Sequence, residues 1–129
     1  MRMLPKEEEE DIPVTAADQA LITEFSVLSQ LHDERERKIE GLGEKIEALG
    51  EARDEIELGD EYERVLYKIQ SCFMHLLQET ALRMISEEEK RAEEEIQTAK
   101  DAQEKSEARM KVLKTELYAK FGRSINLER

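Results

Sequence analysis

Tyr62-Glu63-Arg64-Val65-Leu66-Tyr67-Lys68-Ile69-Gln70-Ser71-Cys72-Phe73-Met74-His75-Leu76-Leu77 is the stretch on which the fold turns. Val65, Tyr67 and Ile69 alternate with Leu66 and Lys68, and Cys72 to Leu76 supply a second short run of apolar and β-forming residues. Gln70-Ser71 fits the turn between them, so residues 62–77 are expected to form a β-hairpin. Gly59 and Asp60 precede it as helix-stopping residues. A single helix continuing through Tyr67 to Leu77 is the competing reading.

On either side the period changes from two to three and a half. Before the hairpin a seam runs through Leu21, Phe25, Leu28, His32, Arg35, Ile39, Leu42, Ile46, Leu49, Arg53 and Ile56, its steps alternating four and three as in a coiled coil. After it a second seam runs through Leu82, Ile85, Glu89, Ala92, Ile96, Ala99, Gln103, Ser106, Met110, Leu113 and Leu117, with Phe121 beyond and Gly122 placed to end the helix. Thr15 and Asp18 form a capping box ahead of the first seam. The two arms are equally long, on the order of 55 Å at about 1.5 Å per residue, and can fold back on each other end to end.

Pairing Ile56 with Leu82 sets Phe25 opposite Leu113, Leu21 opposite Leu117 and Ile39 opposite Ala99. It also sets His32 against Ser106 and Arg35 against Gln103, and brings Arg53 within one layer of Glu89. A slip of one heptad would bury Arg35 against Ile96 without a partner, which disfavours it. Gly41, Gly43 and Gly50 inside the first helix each cost about 1 kcal/mol relative to Ala and soften that arm.

The expected fold is therefore mainly α: an antiparallel two-helix coiled coil with a short β-hairpin between the helices. Residues 1–13 read as a disordered acidic tail, because Glu7 to Asp11 repel one another between Pro5 and Pro13. Residues 14–129 read as one domain: a helix over 15–56, the hairpin over 62–77, a helix over 79–121 and a short tail over 122–129. A lone two-stranded hairpin with apolar side chains on both faces is marginal in water, so it should join like hairpins of other chains in an inter-subunit β-barrel. Val65, Tyr67, Ile69, Phe73 and Leu76 are the candidate assembly residues.

Composition narrows the function classes. The chain has 129 residues, 40% of them charged, no Trp and a formal net charge of -12. That field repels a nucleic-acid backbone or an anionic membrane, and neither is an expected partner. The carboxylates fall mostly on solvated helix faces, and no glycine-rich loop follows a strand, so no catalytic residue and no cofactor is expected. Cys72 and His75 would point to opposite faces of a strand, and with one further His a metal site is not expected. Cys72 reads as a buried strand thiol. A lone cysteine and the want of a signal-like apolar run suggest the cytoplasm, with nuclear access left open. A passive coiled-coil tether or oligomerisation module is one reading of the residues; an enzyme is a distant third.

The closing residues Leu117-Tyr118-Ala119-Lys120-Phe121-Gly122 and Ser124-Ile125-Asn126-Leu127-Glu128 resemble the carboxy-terminal signature of β-type prefoldin subunits, and of one subunit type among them. Val14-Thr15, Asp18-Gln19, Glu24-Phe25-Ser26, Glu55-Ile56-Glu57-Leu58 and the strand residues Val65, Tyr67, Ile69 and Phe73 fit the same pattern. The chain departs from it in carrying Gln70 at the turn position, where Gly is usual, and Arg123 where an acidic residue is usual. The resemblance implies a chaperone subunit in a hetero-hexamer of α-type and β-type chains. It further implies capture of unfolded actin and tubulin at the coiled-coil tips and delivery to the cytosolic chaperonin without ATP hydrolysis. Leu21, Ile22, Phe25, Leu117, Phe121, Ile125 and Leu127 are the candidate client contacts at that tip. Of these, Ile22 and the residues past Gly122 fall outside the two-helix seam and so are expected to lack a partner within the chain.

Overall fold

The protein, described here from a computed structural model, is seen at residues 2–3, 13–122 and 125–127. The acidic run Glu7 to Asp11 and Arg123 lie outside the described residues. The elements in chain order are β1 (Arg2–Met3), α1 (Ala16–Glu57), β2 (Arg64–Ile69), β3 (Cys72–Leu77), α2 (Gln78–Phe121) and β4 (Ile125–Asn126).

Local chemistry sets most of these boundaries. The Asp18 N–H donates to Thr15 Oγ1 at 3.1 Å and the Thr15 N–H to Asp18 Oδ2 at 3.0 Å, the reciprocal capping box expected from the sequence. At the other end of α1, the Gly59 N–H bonds the Ile56 carbonyl at 3.1 Å. The Gln78 side chain donates to that same carbonyl at 2.6 Å, a second hydrogen bond on an acceptor at the helix end. Tyr62 and Glu63, expected within the hairpin, belong instead to the turn before it. There Asp60 Oδ1 accepts the Tyr62 N–H at 2.9 Å and the Asp60 carbonyl accepts the Glu63 N–H at 3.0 Å. Gly122, at φ 56°, takes the left-handed conformation that closes α2.

The hairpin runs from Arg64↔Leu77 to Ile69↔Cys72 in antiparallel register, with Gln70-Ser71 as its two-residue turn. Gln70 has φ 53°. Positive φ at the first turn position is what the strand-matching hairpin turns require, and Gln adopts it here although Gly does so at less cost.

The chain divides into two compact units, Met1–Arg37 with Lys100–Arg129, and Lys38–Ala99. The sequence reading treated 14–129 as one domain; α1 and α2 each contribute a segment to both units. In the first unit Asp18 meets Lys120, Glu24 meets Arg109 and Arg35 meets Ser106, so rising numbers on α1 match falling numbers on α2 and the segments are antiparallel. Phe25, Met110, Leu113, Leu117, Phe121, Ile125 and Leu127 form its core, with Leu21, Ile22 and Leu28 packed against it. In the second unit the buried residues are Ala81, Ile85, Ala92 and Ala99 on α2, and Ile39, Leu42, Ile46, Leu49 and Ile56 are half-buried on α1. Apart from Ile22, Ala81 and the carboxy-terminal Ile125 and Leu127, heptad spacing places these apolar residues on the seams or just beyond them.

The polar layers follow the expected register with their partners exchanged. Arg35 Nη1 donates to Ser106 Oγ at 2.7 Å, rather than meeting Gln103. Gln103 Nε2 donates to Glu36 Oε1 at 2.7 Å and to the His32 carbonyl at 3.4 Å. The long guanidinium reaches the next layer of α2, which leaves His32 with Glu107 instead of Ser106. In the second unit Arg53 Nη2 donates to Ser86 Oγ at 3.3 Å and stands 2.6 Å from Glu89 Oε1, an ion contact without hydrogen-bond alignment.

Candidate functional site

Two regions carry surface chemistry beyond what the helices need, one in each unit. The first is the hairpin. Across its ladder Val65 faces Leu76, Tyr67 faces Met74 and Ile69 faces Cys72, so one face is wholly apolar. Val65, Tyr67, Ile69 and Leu76 are half-buried on it. Burial pushes the Tyr67 hydroxyl pKa up, and the Glu88 carboxylate that it meets pushes it further. The opposite face presents Arg64 with Leu77, Leu66 with His75 and Lys68 with Phe73.

Phe73 had been grouped with Val65, Tyr67, Ile69 and Leu76 as one assembly set. The register places it on the other face, its ring centroid 6.0 Å from Lys68 Nζ. Leu66 is 57% exposed and Phe73 61%. Cys72, expected to be buried, is an exposed free thiol. Cys72 pairs with Ile69 at the turn end of the partly covered face, where the cover gives out and the thiol is left open. The ladder itself is two strands wide, so each strand keeps an outer edge of backbone donors and acceptors that no other strand among the described residues pairs.

The second region is the end of the first unit where α1 begins and α2 stops. Arg109 holds Glu24 bidentately, Nε to Oε2 at 2.5 Å and Nη2 to Oε1 at 2.9 Å, and Lys120 hydrogen-bonds Asp18. The Arg109 guanidinium holds the Glu24 carboxyl below the usual range, and Lys120 with the Thr15 backbone N–H does the same for Asp18. Asp18 sits in the first turn of α1 and Lys120 in the last turn of α2, so each also complements the dipole of its own helix.

The same unit holds the predicted client residues, and the structure brings all seven together. It does not leave them open. Phe25, Leu117, Phe121, Ile125 and Leu127 are each 3% exposed or less. Ile125 and Leu127, expected to lack a partner, are folded back into the core by the turn at Gly122, and the Leu127 N–H donates to the Tyr118 hydroxyl at 2.7 Å. Ile22 likewise packs against this core, half-buried with Leu21. Among the described residues, exposed apolar side chains near this end include Val14 and Tyr118, at 45% and 37% exposure, with Val27 and Val112 further along the unit. Further along the unit, Phe25, His32, Glu107, Met110, Lys111 and Lys114 line a groove of about 280 Å³. His32 Nδ1 lies 3.6 Å from Glu107 Oε1 there, too far for a hydrogen bond.

The roles of Gln78 as a cap and of Tyr118 as an acceptor escaped the sequence reading. Neither follows from helical periodicity, since both join a helix to a segment outside it.

Two long helices joined by a short antiparallel hairpin constitute the architecture of a prefoldin subunit. A solved relative, the prefoldin beta subunit from Thermococcus strain KS-1, superposes with a TM-score of 0.69 over 83% of this chain and 94% of that one, at 14% identity. The profile described as prefoldin subunit matches residues 19–124, and the chain belongs to that family. Within it, prefoldin subunit 4 of Saccharomyces cerevisiae is 36% identical over 129 residues, covering 100% of both chains. Prefoldin subunit 4 of Homo sapiens is 34% identical over 120 residues, 92% of this chain and 90% of that one. The chain is thus a prefoldin chaperone subunit, similar to the proteins named subunit 4, as its carboxy-terminal block suggests.

Proposed function

We propose that the chain works as a β-type subunit of a hetero-hexameric prefoldin in the cytoplasm, its hairpin joining the shared barrel and its terminal end holding unfolded polypeptide. Actin and tubulin are the expected clients and the cytosolic chaperonin the recipient, with no nucleotide hydrolysed. The observation that carries the assembly half is the hairpin: a ladder of two strands whose outer edges no other strand among the described residues pairs, with Leu66, Phe73, Met74 and Leu77 exposed. A passive tether would need the heptads and have no use for such an element. For client contact, half-buried Leu21 and Ile22 with exposed Val14 and Tyr118 take the place of Ile125 and Leu127, which the core occupies. Contacts of this kind are individually weak, and several subunits together make them effective.

The test is to reconstitute the chain with its α-type and β-type partners and add chemically denatured actin without ATP. A six-chain complex that suppresses actin aggregation, and releases the actin to chaperonin, is the expected result. A homodimer, or a hexamer that leaves aggregation unchanged, would overturn the reading.

A further inference from the structure

The first unit contains a strand pairing that its coiled-coil segments do not require. β1 pairs antiparallel with β4, Arg2 opposite Asn126 and Met3 opposite Ile125. We propose that the edge of β4 is an acceptor for an extended polypeptide, and that Arg2–Met3 occupies it as an intramolecular stand-in. This deepens the reading above and rests on its client-holding half.

β4 is anchored independently of β1. Ile125 and Leu127 point into the core at 3% and 1% exposure, and the Tyr118 hydroxyl holds the Leu127 N–H. The left-handed turn at Gly122 sets the direction of the returning chain. The template therefore persists when its partner strand leaves. β1, by contrast, contributes two residues, and a two-residue ladder is marginal. Its bonds are made by backbone groups, which any extended segment possesses, so the edge reads conformation rather than sequence.

An unfolded polypeptide brings those two assets to the site: unpaired backbone groups, and apolar side chains for the surface offered by Leu21, Ile22, Val14 and Tyr118. Seating such a segment in place of β1 exchanges one ladder for another and costs little. While β1 is seated, the apparent affinity for the incoming segment falls by the fraction of molecules with the edge occupied. The amino-terminal strand is then a brake on capture as well as a cover for an exposed edge.

The test compares assembled complexes carrying the native chain and a variant with Arg2→Pro and Met3→Pro, which removes two N–H donors and leaves the rest of the chain in place. The probe is a fluorescent extended peptide of alternating Val and Thr, together with the same peptide N-methylated at alternate amides, read by anisotropy. Aggregation of denatured actin is followed in parallel. The expected result is binding of the unmodified peptide tighter by about three- to tenfold in the variant, with no such gain for the N-methylated peptide. Equal affinities for the two complexes, or an equal gain for both peptides, would overturn strand exchange while leaving client holding in place if aggregation is still suppressed. If neither complex binds peptide nor suppresses aggregation, the client-holding reading falls with it.

Discussion

Arg109 grips Glu24 through two parallel hydrogen bonds, at 2.5 and 2.9 Å, joining α1 to α2 within the first unit. Lys120 and Asp18 make a second such link nearer the helix ends. Both carboxylates are held below their ordinary pKa by these partners, so the folded chain binds fewer protons than the unfolded chain in the acid range. Their contribution is therefore complete above the unfolded carboxylate values near about 4, and is lost as pH falls through the depressed folded values. Urea unfolding followed by far-UV circular dichroism should show a midpoint steady from pH 7 to about 5 and falling below about pH 4. Glu24→Gln should unfold more readily than native at pH 7 and converge on it in acid. A difference that persists unchanged at low pH would show that Glu24 stabilises by packing rather than by charge.

Gly41 and Gly43 lie inside the unbroken α1, where glycine gives up the most backbone entropy on folding. A Cβ built at either position meets nothing within 4 Å. Gly41→Ala and Gly43→Ala should each stabilise by about 0.5–1 kcal/mol, raising the thermal midpoint without changing assembly. A lowered midpoint would mean that α1 leaves helical geometry there in solution.

What could be read from the sequence divides along a physical line. The Thr15 and Asp18 capping box, the stop at Gly59 and Asp60, the two-residue turn at Gln70-Ser71 and the buried α2 stripe from Ile85 to Leu117 all depend on neighbours within one or two helical turns. Sequence displays such neighbours directly. The side-chain partner of Arg35 lies one layer from the expected Gln103 and that of His32 one residue from the expected Ser106, because heptad counting places Cα positions while a guanidinium reaches past them to Ser106. Phe73 was assigned by its apolarity; counting parity across the turn pairs it with Lys68 and puts it on the other face. Ile125 and Leu127 looked unpartnered because the seam was counted along helices, and the return of the chain at Gly122 is a tertiary event.

That return makes a sharp prediction. Leu127 is 1% exposed within the core that Phe25 and Phe121 fill, so Leu127→Ala should cost roughly 2–4 kcal/mol through lost burial and the cavity left behind. Tyr118→Phe removes the acceptor of the Leu127 N–H and should cost about 0.5–1.5 kcal/mol. Because the two changes act on one contact, the double variant should cost less than their sum. Urea midpoints of the four proteins decide it: strict additivity would mean that the carboxy-terminal segment packs without the Tyr118 hydroxyl.

The two faces of the hairpin separate folding from assembly. Val65 and Leu76 face each other on the half-buried side, so Val65→Ser or Leu76→Ser should weaken both the chain and its association with partner subunits. Leu66 and Phe73 are more than half exposed on the other side and contribute little burial within the chain. Leu66→Ser with Phe73→Ser should shift the unfolding midpoint of the isolated chain by no more than about 0.5 kcal/mol equivalent, the usual range for surface positions. If that face is buried between subunits, the same variant should lose the partner chains on native mass spectrometry, since the apolar area it removes is needed only there. Retention of every partner would assign the interface to the open strand edges and the Val65 face, leaving Leu66 and Phe73 exposed in the assembled complex.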